Sequence, residues 1–346
     1  MHQMHKSKSV RHQSVGRFLI IAAVIAASIT ACNRKGGIIS FGGEAQGTYY
    51  TVSYLDSQQR DLQPMVDSLL DAFDQSASLW VDSSLLRRIN ANLTDSLDPT
   101  LGYLLDYSLY INNYTGGAFD CRVGRIVQTW GFSFRQRSEP DSAELAALLD
   151  AARASVNAQD NRIVKENPAT ELDFNAIAQG YCVDLLAKMM DSLGVENYLI
   201  DVGGEVKARG AKSGGHPWRV GIEKPSADSI SAPEVMTAIA LRDASVVTSG
   251  NYRKYYEHDG VRYSHTIDPS TGRPVQHSLL SVSVVDSEAW RADAMATAYM
   301  VMGLDSALAF IAAHPDGPGS GAVMFIYDDH GTLRTYETPE FKKLTI

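Results

Sequence analysis

Residues Thr248–Thr297 read TSGNYRKYYEHDGVRYSHTIDPSTGRPVQHSLLSVSVVDSEAWRADAMAT, and they concentrate what a site for a charged, flat ligand needs. Gly and Pro in TSGN and DPSTGRP predict turns, because they adopt backbone angles that other residues resist; Tyr252, Tyr255, Tyr256 and Tyr263 add flat amphipathic surface. Leu279–Val285 predicts a strand. Arg291–Gly303, rich in Ala and Met, predicts a helix in which Asp293 and Thr297, four residues apart, share a face. Their company on that helix is apolar (Ala292, Ala294, Met295, Ala296, Ala298, Met300), so the helix is expected to be buried, and a buried carboxylate needs a partner. The same spacing also occurs on solvated faces, and it is the apolar company that favours a ligand here. One carboxylate and one hydroxyl pointing the same way suit magnesium, which takes oxygen ligands, few of them from protein and the rest from water and phosphate oxygens. The sparse pair therefore presumes a phosphorylated substrate.

Around this stretch, strands come in runs with helices between them. Tyr49–Leu55 alternates as a strand; Leu62–Ala77 places Met65, Val66, Leu69, Leu70 and Phe73 on one helical face. Thr100–Tyr114 repeats the pattern and ends at Gly116-Gly117. Asp141–Ser155 begins with Asp141 and Glu144 at capping-box spacing. In the helix after Asp173, Ile177, Tyr181, Leu185, Met189 and Leu193 recur every fourth residue until Gly194. That face is expected to be core, with an exposed helix N-terminus ahead of Ile177 whose free N–H groups suit an anion. Tyr198–Val202, Val206–Gly210 and Trp218–Ile222 follow as strands, and Val323–Tyr327 with Thr332–Glu337 flank a turn. The pattern predicts an α+β fold of antiparallel strand runs with interleaved helices. No G-x-G-x-x-G follows a strand and no P-loop is present, so neither the dinucleotide-binding nor the NTPase fold is supported.

The chain has 346 residues, 45% hydrophobic and 9% aromatic, enough for a sizeable core. Its start differs from the rest. Lys6, Lys8, Arg11 and Arg17 precede the 13-residue apolar run Phe18–Thr30, too short for a stable membrane span, and Ser28-Ile29-Thr30-Ala31-Cys32 follows. This is the pattern of a lipoprotein signal peptide over residues 1–31, cleaved ahead of Cys32, with acyl chains on Cys32 as the anchor. Residues 32–40 are expected to form a tether and 41–346 the folded domain, exported and lipid-anchored to a membrane facing the periplasm. Loss of the four basic residues takes the formal charge from −9 to −13, which speaks against nucleic acid as a partner. Cys121 and Cys182 are expected to be two buried unpaired thiols, although export permits a disulfide.

The segments GAFDCRVGRIVQTWGF (Gly117–Phe132), DFNAIAQGYCVD (Asp173–Asp184), YLIDVGGEVKARG (Tyr198–Gly210), WRVGIEKP (Trp218–Pro225), TSGNYRKYY (Thr248–Tyr256), YSHTIDPSTGRPV (Tyr263–Val275) and ADAMATA (Ala292–Ala298) together resemble the ApbE family of flavin transferases. Members of that family attach FMN from FAD to a threonine of a target protein. The resemblance implies an FAD site in a cleft lined by Gln46, Trp80, Ala118, Phe119, Asp120, Asp173, Gln179 and Ile267. It also implies a magnesium site formed by Asp293, Thr297 and the Ala176 carbonyl. The residue types agree: Trp80 offers a stacking ring, the two aspartates accept hydrogen bonds, and Ala118-Phe119 presents backbone. The chain departs from the family pattern at Gln179, where a Lys is common, at Asn175, where a Gly is common, and at Gln46, where a Met is common. His265, the only histidine inside a strong motif, has the chemistry of a general base or phosphate ligand, and equally of a structural hydrogen bond. The expected reaction is magnesium-dependent transfer of FMN from FAD to an acceptor threonine with release of AMP. The same residues with water as acceptor would make an FAD pyrophosphatase, and without turnover a flavin-binding lipoprotein.

Overall fold

The computed structural model describes residues 37–132, 140–226, 234–251, 255–258 and 261–346. A hairpin of β1 (Ile39–Ala45) and β2 (Thr48–Leu55) is followed by α1 (Gln63–Ala77), α2 (Leu85–Asn90), α3 (Pro99–Tyr114), α4 (Gly124–Thr129) and α5 (Ser142–Arg153). The small hairpin β3 (Val156–Gln159) and β4 (Arg162–Lys165) and then α6 (Ala178–Ser192) lead to β5 (Asn197–Val202), β6 (Glu205–Arg209), β7 (Trp218–Glu223), β8 (Val235–Leu241) and β9 (Ala244–Gly250). Two short hairpins come next, β10 (Tyr255–His258) with β11 (Val261–Ser264) and β12 (Ile267–Asp268) with β13 (Arg273–Pro274). The chain ends with β14 (Leu279–Asp286), α7 (Ala289–Met302), α8 (Leu304–Ala313), β15 (Ala322–Asp329), β16 (Thr332–Glu337) and α9 (Pro339–Lys342).

Eight strands form one sheet in the order β1-β2-β5-β6-β9-β14-β15-β16, antiparallel at every step. Period-2 alternation divides its residues between two cores. One face turns Val52, Ile200, Val202, Val247, Val284 and Phe325 toward the helices, while the other turns Val206, Ala208, Val246 and Ile326 toward Trp218, Ile239 and Phe341. The β7–β8 hairpin and α9 cover that second face. α7 packs on β9 and β14 and against α6, which itself packs on β5 and β6, and Ala292, Asp293, Met295, Ala296, Tyr299 and Met300 are all buried, so the apolar helix is enclosed as its composition predicts. The fold is α+β, as expected.

Some sequence-based expectations need correction. Thr248–Gly250 is not a turn but the end of β9, with Ser249 opposite Val282 and Gly250 opposite Ser281; only Asn251 leaves the strand. DPSTGRP is a turn, closed between β12 and β13 with Gly272 at φ 67°. Tyr252 and the side chains of Tyr255, Tyr256 and Tyr263 lie outside the described residues. Trp218–Glu223 leaves the main sheet and pairs with β8. Met65 is 45% exposed rather than core. In α6 the buried stripe runs through Cys182, Val183, Leu186 and Met190, and Leu185, Met189 and Leu193 are only half-buried. An every-fourth-residue row drifts around a helix of 3.6 residues per turn, so its far end leaves the contact face. β1 starts at Ile39, two residues before the expected start at Phe41. Cys121 and Cys182 are free and buried, and burial pushes both thiols up to about 12.

Candidate functional site

The approach to α6 is built from one aspartate. Asp173 donates its backbone N–H to the Cys121 carbonyl at 2.8 Å, and its carboxylate accepts the Asn175 N–H at 2.8 Å. Burial raises its pKa above the usual carboxylate range. The helix N-terminus is less exposed than its sequence implies: Asp173, Phe174 and Ile177 are buried, and Asn175 alone is open to solvent. Ile177, at φ −154°, holds the chain out of helical geometry just before Ala178. One turn after Ala176, the Gly180 N–H, which in a regular helix would seek the Ala176 carbonyl, donates to Asp293 Oδ2 at 3.0 Å. Asp293 is thereby tied to the first turn of α6, one turn after Ala176.

Asp293 is 4% exposed. Its pKa is raised to about 7, first by burial and further by the charge of Asp184, against the opposing Gly180 hydrogen bond. Among the described residues that carboxylate meets one backbone N–H and no positive side chain, and a cation would supply the missing charge. Thr297 lies one turn further along α7, with its hydroxyl 3.1 Å from Ser249 Oγ at the end of β9. Carboxylate, hydroxyl and carbonyl oxygens form a donor set suited to magnesium. Among the described residues no three His, Cys, Asp or Glu side chains converge, so the remaining ligands of such an ion would be water and substrate oxygens.

Gln46 occupies the β1–β2 turn at φ 54°. Its side-chain amide is shut off from solvent and interacts with the Cys182 thiol, and neither its oxygen nor its nitrogen meets an oxygen or nitrogen partner among the described residues. A buried amide with no oxygen or nitrogen partner among the described residues is the kind of group that a polar ligand satisfies. Gln179 stands near it in the fold: a Cβ placed on Gly203 would lie 2.7 Å from Thr48 Cγ2 and 3.0 Å from Gln179 Nε2. The Gln46 backbone bonds to Asp74 in the last turn of α1, and Trp80, 61% exposed, follows that turn. On the other side of Asp173, Ala118 and Asp120 line a cavity of about 660 Å³ with Gly116, Gly117, Asp268 and Ser270.

Three of the expected site residues present themselves differently from their types. Phe119 and Ile267 are core side chains, 2% and 6% exposed, and offer only backbone to a ligand. The Asp120 carboxylate is taken by Arg122, whose Nε and Nη2 approach at 2.8 Å and 2.7 Å. His265 is half-buried, 6.4 Å from the Phe132 ring centre, and connects to Thr297 indirectly: Thr266 donates to Asn251 Oδ1 at 2.6 Å, and Asn251 directly follows the strand that carries Ser249. Sequence reasoning missed Arg122, Ser249 and Gly180. A lone glycine inside a clear helical pattern was the available signal for Gly180, since it marks a close approach.

In this α+β protein Asp293 thus meets the start of α6 where two helices pack together on one face of an antiparallel sheet. The ApbE family profile matches residues 46–318. The FAD:protein FMN transferase of Vibrio cholerae is 33% identical over 326 residues, covering 91% of this chain and 95% of the relative. That of Escherichia coli K12 is 34% identical over 319 residues, covering 88% of each. Among solved structures, the flavin transferase ApbE from Vibrio cholerae superposes with a TM-score of 0.77 at 32% identity, covering 89% of this chain and 99% of that one. The apo flavinyl transferase ApbE of Pseudomonas stutzeri gives 0.78 at 32%, covering 91% and 98%. The chain belongs to the ApbE family.

Proposed function

We propose that the chain is a magnesium-dependent FAD:protein FMN transferase that moves FMN from FAD to a threonine hydroxyl of a target protein and releases AMP. The observation that carries this reading is Asp293, buried at the helix crossing, where its carboxylate accepts the Gly180 N–H and no positive side chain pairs with it among the described residues, with Thr297 one turn further along the same helix. The names of the relatives supply the transferred group and the class of acceptor.

Asp293, Thr297 and the Ala176 carbonyl would hold the ion, and bound magnesium supplies positive charge for the pyrophosphate oxygens of FAD. The buried Gln46 amide, with the Cys182 thiol beside it, meets polar atoms of FAD, Trp80 offers its exposed ring for stacking, and Asp173 accepts a ligand hydrogen bond with the oxygen not held by Asn175. Gln179 donates hydrogen bonds without the charge of a lysine. In the transfer step the threonine oxygen bonds to the phosphorus on the FMN side, the bond from that phosphorus to the bridging oxygen breaks, and AMP leaves with that oxygen. His265 is the residue we assign to take the hydroxyl proton or to hold a phosphate oxygen.

The leader supports export. The basic start, the apolar run and Ile29-Thr30-Ala31-Cys32 lie outside the described residues and read as a signal peptide ending at a lipidated cysteine, which would hold the domain on a membrane facing the periplasm. Incubation with FAD, magnesium and a threonine-bearing acceptor tests the function. In-gel flavin fluorescence of the acceptor is the expected outcome. Free FMN without labelled acceptor would make the protein a pyrophosphatase, and unchanged FAD would make it a binding protein.

A further inference from the structure

We propose that Asp184, held by Lys207, is a positioning residue for Asp293: by fixing the N-terminus of α7 against α6 it sets the affinity of the helix crossing for a divalent cation. The inference rests on the function proposed above, and it concerns two residues to which that reading gives no part.

The two helices exchange carboxylates. Asp293, on α7, accepts the Gly180 N–H of α6 at 3.0 Å, and Asp184, on α6, accepts the Ala289 and Trp290 N–H groups of α7 at 3.1 Å and 2.9 Å. Glu288 stands at the N-cap position of α7 but its side chain makes no capping bond, so α7 receives its cap from the neighbouring helix. The spacing matches on both sides. Gly180 to Asp184 and Ala289 to Asp293 are each one helical turn, so the two sets of bonds bracket a single crossing. A Cβ on Gly180 would lie 2.5 Å from the Ala289 oxygen and 2.8 Å from Asp293 Cβ, which leaves the crossing little room to slide.

Lys207 completes the arrangement. From β6 its Nζ binds Asp184 Oδ1, the Ser287 carbonyl at 3.0 Å and Glu288 Oε2 at 3.3 Å, so one ammonium ties the α6 carboxylate to the residues entering α7. The Tyr107 ring stacks on Trp290 at 4.1 Å and 6°, and the Lys207 and Asp184 side chains are only 14% and 10% exposed. Of the two carboxylates that the helices exchange, this lysine goes to Asp184. The charge of Asp293 is left for a cation, while its position is fixed by the helix end that Asp184 holds. Partners that orient a metal ligand typically change metal affinity by about 10–100-fold when removed.

The test uses the full chain with Mn²⁺ as probe in the presence of FAD, following free Mn²⁺ by electron paramagnetic resonance. Thr338→Ala, which removes the cap of α9 on the opposite face of the sheet, controls for lost stability. Asp184→Ala is expected to weaken Mn²⁺ binding by about 10–100-fold, with Thr338→Ala at the parental value. Parental Mn²⁺ affinity in Asp184→Ala, alongside weakened binding in Asp293→Asn, would overturn the positioning role and leave the proposed function standing. Parental affinity in Asp293→Asn would remove the cation site itself. If Asp184→Ala does not fold, Asp184→Asn, which keeps its size and one acceptor oxygen, is judged on the same outcomes.

Discussion

Asp293 combines burial with ionisation, and its titration can be followed without substrate. Its folded-state pKa of about 7 stands above the roughly 3.9 of an unfolded aspartate. The sign follows: for this group the metal-free protein is most stable below about pH 4, and that stability is lost as pH rises through about 7. Asp293→Asn should flatten this part of the stability profile, measured by thermal melts from pH 4 to 8, and should abolish FMN transfer at low magnesium. Normal transfer at low magnesium would remove Asp293 from the metal site. Asp173→Ala should weaken FAD binding by about 1–3 kcal/mol if its free oxygen accepts a ligand hydrogen bond, and fluorescence titration would show it. Asp293 and Thr297 were legible because helical spacing and apolar neighbours fix direction and burial together. Asp120 was not, because nothing in the order of residues says that Arg122, two positions on, turns back to take both of its oxygens.

At the scale of elements, the helix crossing makes its own prediction. Gly180→Ala should cost about 1–3 kcal/mol, because the added methyl meets backbone that cannot turn aside, whereas Gly102→Ala, inside α3 with nothing within 4 Å, should stabilise by about 0.5–1 kcal/mol. Denaturant melts of both variants check this contrast, and equal effects would argue against a tight crossing. The helices read from the sequence lie within a residue or two of their expected bounds, while α2, α4, α8 and α9 were not foreseen. Asp141 caps α5 by accepting the Ala143 and Glu144 N–H groups, as its spacing implies, and α7 spans Ala289–Met302 against an expected Arg291–Gly303. TSGN misled because Gly250 reads as a turn residue while the sheet needs its backbone opposite Ser281. β7 was legible as a strand but not in its partner, since strand pairing is decided by residues far apart in sequence.

At the scale of the whole molecule, the folded unit spans Ile38–Ile346, and the family profile begins only at residue 46. The antiparallel sheet and its two cores were foreseeable as strand runs, but their order was not, because β9 inserts between β6 and β14 through contacts that no local pattern specifies. The leader and the fold therefore make separable claims. A chain beginning at Ile38 contains every strand of the eight-stranded sheet, so it should keep the parental melting temperature and transfer FMN to a soluble acceptor at the parental rate. The same chain should not partition into membranes. Cys32→Ser in the full-length protein should likewise release it from membranes or block its processing, since a single missing thiol removes the acyl chains that hold it. Fractionation of cells expressing each form reads the first claim, and flavin fluorescence of the acceptor reads the second. A Cys32→Ser protein that partitions and migrates like the parent would end the lipoprotein reading while leaving the catalytic one intact. Lost activity in the chain beginning at Ile38, with its melting temperature preserved, would show instead that residues ahead of the sheet take part in transfer.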